Sequence, residues 1–216
     1  MTQPAIEKAR DFAKSHFAED SSGHDWWHVH RVWNTSISLA ESEGADRTIV
    51  EIAALLHDVA DWKLSEDGEE AGMKKIRALL EKEMKSHEVD HVCNIVENIS
   101  YKGAGVSTPM ATLEGKVVQD ADRLDAIGAV GIARAFAYGG NRNRLIHDPE
   151  KPPVMHEDFE AYKKNKGASI NHFYEKLLLL KDRMNTNSGR KMAVERHQFM
   201  EAYLEQFFKE WNGGVR

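Results

Sequence analysis

The segment Ala53-Ala54-Leu55-Leu56-His57-Asp58-Val59-Ala60-Asp61-Trp62 constrains the chain more than any other stretch. It contains no helix breaker. At 3.6 residues per turn, Ile52, Leu55, Leu56 and Val59 share one face, and Ala54, His57, Asp58 and Asp61 share the other. The second face carries no Lys, Glu or Gln, the side chains that usually fill a solvated surface. Ala53, Ala54 and Ala60 would let other helices approach closely. Two readings are open from these residues. One is an ordinary amphipathic helix with a wet face. The other is a polar site lined by protein on both sides. There, a His beside an Asp with a second carboxylate one turn later suits a metal.

At 216 residues, the chain can bury one sizeable core. Hydrophobic content of 41% with 30% charged residues describes a globular protein. No apolar run approaches the ~20 residues of a membrane span, so no membrane partner is expected. The charged, mixed stretch from Met1 to Asp20 has no signal-peptide core. Cys93 is the only cysteine, which excludes an intramolecular disulfide and fits a reducing cytoplasm, the expected location. A net charge of −6 argues against general nucleic-acid binding through a basic surface. An anionic substrate would need a local cation, either a metal or a few placed Lys and Arg.

The periodicity predicts an all-α chain, and its length allows one or two domains. Helices are expected over Ala5–Phe17, Asp25–Glu43, Arg47–Trp62, Glu70–Lys85, His87–Ser100, Leu113–Tyr138, His156–Met184 and Gly189–Trp211. Gly44 is a typical C-terminal stop. Tyr101–Met110 and Gly139–Pro153 read as loops. The second is long enough to be functional, for instance as a lid over a substrate.

The predicted helix through Gly115–Ala137 is apolar almost all round, so it belongs inside the protein, yet it carries Asp122 and Asp125. Buried carboxylates are paired or bound to metal. Asp122 shares a side with Ala126, Ala129 and Ala133 and has no cation of its own, which favours a ligand. Asp125 is expected in a salt bridge with Arg123 or Arg134. On the second helix His24, His28 and Arg31 share a side, while His30 points elsewhere.

These residues form a recognisable order. His28-Val29-His30-Arg31-Val32, then Leu56-His57-Asp58, then Gln119-Asp120-Ala121-Asp122-Arg123-Leu124-Asp125-Ala126 resembles the H…HD…D signature of the HD-domain metal-dependent phosphohydrolases. With Gly23-His24-Asp25-Trp26-Trp27-His28 and Gly131-Ile132-Ala133-Arg134-Ala135-Phe136, it is similar to the small stand-alone bacterial subgroup, which includes nucleotide pyrophosphohydrolases. The resemblance implies an all-α fold, a compact multi-helix bundle of HD-domain type in a single domain spanning 1–216, and that His28, His57, Asp58 and Asp122 bind one divalent metal. Such a mixed N/O set accepts Mn, Fe, Co, Ni, Zn or Mg, and the metal would acidify water and polarise phosphorus. His87 and His91 have the spacing of a further metal pair but are expected on the surface.

The implied activity is hydrolysis of a phosphoester or phosphoanhydride of a nucleotide, with a nucleotide pyrophosphohydrolase first. A nucleotidase, a phosphodiesterase and a non-catalytic nucleotide-sensing module are the alternatives. Lys63, His24, Lys102, Arg123, Arg142 and Arg144 are candidate phosphate contacts, with a solvated surface charge as the alternative for each. Lys63 and His24 adjoin the metal motifs. Trp26, Trp27, Trp33 and Trp62 suit either core or interface, so a homodimer stays open. Asp61 is a candidate proton-transfer group, the alternative being a role in orienting His28 or His57. Asp61→Asn is expected to abolish turnover and leave metal content intact, measured by kinetics and elemental analysis; surviving turnover rules out the proton-transfer role.

Overall fold

The computed structural model describes residues 3–18, 23–60, 68–155, 158, 160, 161 and 166–214. Among them every regular element is helical. In order these are α1 (Gln3–His16), α2 (Trp26–Glu43), α3 (Arg47–Leu56), α4 (Glu69–Leu80), α5 (Ser86–Asn98), α6 (Leu113–Asp125), α7 (Gly128–Asn141), α8 (Asn171–Glu175), a 3₁₀ helix (Leu177–Arg183) and α9 (Asn187–Trp211). No helix among the described residues is long and apolar enough to cross a membrane.

Local chemistry sets the ends. Asp25 caps α2 by accepting the His28 N–H at 2.9 Å, and Gly44 closes it at φ +74°, donating its N–H to Ala40. Asp46 caps α3 through Thr48 and Ile49, and Thr112 caps α6 through Gly115. The centre of the molecule is α3. Every residue from Ile49 to Leu56 is buried, Glu51 included, because α1, α2, α5 and α6 all pack on it. The polar side of this segment is therefore not a wet face; protein surrounds it. Glu51 is satisfied there by the Trp33 indole at 2.8 Å and the Arg47 guanidinium at 2.7 Å.

Three expected helices differ from the observed ones. α3 stops at Leu56, and His57–Ala60 continue as turns. The expected helix Leu113–Tyr138 is two helices, broken at Ala126–Ile127. Gly128 takes φ +76°, and a Cβ at Gly131 would lie 2.2 Å from the Ala126 carbonyl oxygen. These glycines allow a sharp reversal that apolar periodicity cannot register. The expected helix His156–Met184 falls partly outside the described residues. Within 166–184 there is only α8 and the 3₁₀ turn, separated at Lys176 (φ −144°, ψ −60°).

The start of α9 is pinned to α6 by Asp120, which is fully buried. Its carboxylate accepts the Asn185 N–H at 2.8 Å, the Thr186 N–H at 2.8 Å and the Thr186 hydroxyl at 2.7 Å. Gly189 leaves room for it, since a Cβ there would sit 2.5 Å from Asp120 Oδ2. Asp120→Ala strands these donors in the interior and is expected to cost about 2–4 kcal/mol of unfolding free energy, read by urea denaturation. An unchanged midpoint would show the anchor to be dispensable.

Candidate metal centre

Four side chains from three segments converge where α2 begins and where α3 and α6 end. His28, one turn into α2, is fully buried. Its Nε2 lies 3.1 Å from His57 Nε2, 3.2 Å from Asp58 Oδ2 and 3.7 Å from Asp122 Oδ1. His57 Nε2 lies 3.4 Å from Asp58 Oδ1 and 3.9 Å from Asp122 Oδ1. The end of α3 at Leu56 matters here, because the turn that follows presents His57 and Asp58 together. Asp122 is the open wall, with its side chain 30% exposed.

The outer nitrogens decide what this cluster can hold. His57 Nδ1 is 2.7 Å from the Ala54 carbonyl, which can only accept, so Nδ1 carries the proton. His28 Nδ1 is 2.7 Å from Asp125 Oδ2. Asp125 also accepts from Arg31 Nε at 2.8 Å, Arg31 Nη2 at 3.1 Å and Arg134 Nη1 at 3.1 Å. It is a carboxylate, and His28 donates to it. Both Nε2 atoms therefore turn lone pairs inward, toward two carboxylates. With both imidazoles neutral, four electron-pair donors meet at one point, and a divalent cation fits this set.

Electrostatics agree. Burial pushes the Asp58 carboxyl up, but the His57 and His24 imidazoles outweigh it and hold Asp58 well below the usual carboxylate range. Burial and Arg134 pull the His28 imidazole down, yet Asp125 and Asp58 raise it above its ordinary value. At Asp125, burial is opposed by hydrogen bonds from His28 and Arg31, and the carboxyl is held far below its usual range.

His24 stands beside this set and hydrogen-bonds to one of its carboxylates. Its Nδ1 lies 2.9 Å from Asp58 Oδ2, and its side chain is 18% exposed. Burial lowers its imidazole despite Asp58. Two overlapping triads result, His24–His28–Asp58 and His28–His57–Asp122.

Comparisons with known proteins place this geometry. The family model described as HD domain matches residues 26–127, which include His28, His57, Asp58 and Asp122. YpgQ of Bacillus subtilis (strain 168), described as uncharacterized, is 39% identical over 208 residues, covering 96% of this chain and 94% of the relative. The chain belongs to the HD superfamily of hydrolases. A crystal structure of an HD-superfamily hydrolase from Bacillus thuringiensis is 50% identical, covers 98% of this chain and 99% of its own, and has a TM-score of 0.76. A structure of B. subtilis YpgQ in complex with ADP is 36% identical, covering 95% and 97%, with a TM-score of 0.75. The B. subtilis symmetrical bis(5'-nucleosyl)-tetraphosphatase is 38% identical over 104 residues, 48% of each chain.

Within this HD fold Arg123, Arg142 and Arg144 lie apart from the cluster. Asp61 and Lys63 lie outside the described residues. Arg123 is buried and faces away from the cluster, donating to the Arg183 carbonyl and, at 2.9 Å, to the Thr108 hydroxyl. It is a structural clamp, because α6 directs it to the opposite side from Asp122. Arg142 and Arg144 each lie 5.5 Å from the Tyr138 ring, at the far end of α7. For a helix of 14 residues, that is about 20 Å from its start beside Asp125. The segment after α7 does not cover the cluster either. Leu145 and Ile146 accept from Ser169 and Ile170, and the His147 ring packs 4.9 Å from Trp211. Lys102 is partly exposed in the loop after α5. That loop is tied to α6 by the Gln119 side chain, which donates to Thr108 at 3.2 Å, one helical turn before Asp122.

The expected salt bridge at Asp125 forms with Arg134 and not with Arg123; Arg31 joins it, a partner that its shared side with His28 could have signalled. His87 is exposed, and His91 is 3.0 Å from the Thr112 hydroxyl. Among the described residues neither joins a group able to hold an ion. Accordingly, His57→Ala and Asp122→Ala are expected to lose the ion retained by protein purified without chelator, and His87→Ala to keep it, by elemental analysis.

Proposed function

We propose that this HD hydrolase uses one divalent metal, held by His28, His57, Asp58 and Asp122, to hydrolyse a phosphoanhydride bond of a nucleotide. The observation that carries the reading is the convergence of four electron-pair donors at a point whose one partly exposed wall is Asp122. A closed structural site would bury all four. The bound ion would supply Lewis acidity and a more acidic water.

The chain's own residues would do the remainder. His28 and His57, fixed at their Nδ1 atoms, hold their Nε2 lone pairs still. His24, at the rim, contacts a substrate phosphate, together with Lys63 and Lys102. Asp61 moves a proton. Water adds at the α-phosphorus, the α–β bridging P–O bond breaks, and a nucleoside monophosphate and pyrophosphate leave. The ADP complex of YpgQ and the half-length match to a dinucleoside tetraphosphatase support a nucleotide with a polyphosphate tail. Attack on a monoester or diester would instead make a nucleotidase or a phosphodiesterase.

Nucleoside tri-, di- and monophosphates are to be assayed with added Mn²⁺, with other divalent ions and with chelator. Metal-dependent release of pyrophosphate and monophosphate from triphosphates is expected, and chelator should remove it. Orthophosphate as the sole phosphate product would replace this reading with a nucleotidase. Tight nucleotide binding without any release would leave a sensor.

A further inference from the structure

We infer that Asp125 is a positioning residue for the metal centre: it directs the metal to His28 Nε2 by holding the proton on Nδ1, and two arginines from separate helices lock it in that orientation. The inference rests on the metal site proposed above. Asp125 lies at the last position of α6, three residues after Asp122, and is almost fully buried. It touches no other member of the cluster than His28. Its two oxygens are used differently. Oδ1 accepts from Arg31 Nε, on the same helix as His28. Oδ2 accepts from His28 Nδ1 at 2.7 Å, from Arg31 Nη2 and from Arg134 Nη1, which comes from α7.

This arrangement does something that neither a simple ion pair nor a packing contact would do. An imidazole presents one lone pair, on whichever nitrogen lacks the proton. With Oδ2 fixed beside Nδ1, the lone pair must be on Nε2, facing His57 and Asp58. A carboxylate free to rotate would lose this directionality. Arg31 and Arg134 grip it from two sides, so it cannot turn away. The break between α6 and α7 is what brings Arg134 back beside Asp125. Arg134 also donates through Nε to the Gly23 carbonyl at 2.8 Å, next to His24. The same guanidinium therefore tethers the turn that carries His24.

The test uses the full chain and Mn²⁺ alone, without nucleotide. Calorimetric Mn²⁺ affinity is compared for wild type, Asp125→Ala and Asp125→Asn, and long-range ¹H–¹⁵N spectra of Zn²⁺-loaded wild type report which His28 nitrogen binds the ion. Expected are Nε2 ligation with a protonated Nδ1, and a loss of about 10–100-fold in affinity for Asp125→Ala. Asp125→Asn should lose less, because its amide oxygen can still accept from Nδ1. Ligation through Nδ1, or an Asp125→Ala affinity equal to wild type, would overturn the inference. A uniform loss in both variants would also overturn it, since it would mark general disruption. If Asp125→Ala does not fold, the wild-type spectrum and Asp125→Asn decide. Protein that shows this pattern but hydrolyses no nucleotide supports the role of Asp125 and removes only the proposed substrate.

Discussion

Two imidazole lone pairs and two carboxylates aimed at one point repel one another unless something positive lies between them. Unit charges about 4 Å apart interact with ~4 kcal/mol at the effective dielectric near a protein surface, and this site is deeper than that. Most of what surrounds the cluster serves to hold that arrangement in place. α3 is buried on every side so that His57 and Asp58 leave its end into protein and not into water. α2 is capped by Asp25, and His28 is the buried side chain of its first turn. α6 brings Asp122 to the open wall and stops there.

The buried acids divide the labour along a single short helix. Asp120 satisfies backbone and hydroxyl donors at the start of α9 and fixes the C-terminal helix. Asp122 remains partly exposed, facing the two imidazoles. Asp125 answers two arginines and one imidazole. Arg123, between them, points to the far side and clamps the loop after α5 and the end of the 3₁₀ helix. Residues one and two apart on a helix face different neighbours and those three apart lie side by side, so Asp120 and Arg123 serve the fold while Asp125 supports the site beside Asp122.

Positive charge is likewise spent on structure. Arg31, Arg134 and Arg123 are all engaged with protein acceptors, and Arg142 and Arg144 sit against Tyr138. In a chain of net charge −6, the described groups proposed to meet a phosphate are the His24 imidazole at the rim and Lys102 in the loop after α5. The metal thus carries much of the electrostatic demand in the proposed reaction.

Much of this was legible in the residues. Apolar periodicity of 3.6 marked α1 to α6 and α9, and the expected start at Asp25 and stop at Gly44 stand at observed ends. Missing solvated fillers beside His57 and Asp58 signalled a segment enclosed by protein, and the burial of α3 agrees. The order of His28, His57-Asp58 and Asp122 pointed to the HD superfamily. Less legible was the glycine-dependent reversal at Ala126–Gly128, which decides for Arg134 over Arg123 as the partner of Asp125. Hydrophobic pattern is a property of neighbours along a helix, and it continues unchanged through a break that only backbone torsions define. Which arginine meets which carboxylate, how open Asp122 is, and where Arg142 and Arg144 end up depend on distances between segments far apart in the chain. Residue types and their spacing by themselves determined the helical class and the donors available for a metal. Only the packing of α2, α3, α6 and α7 decided that those donors meet, because convergence in space is a relation between helices that no single stretch contains.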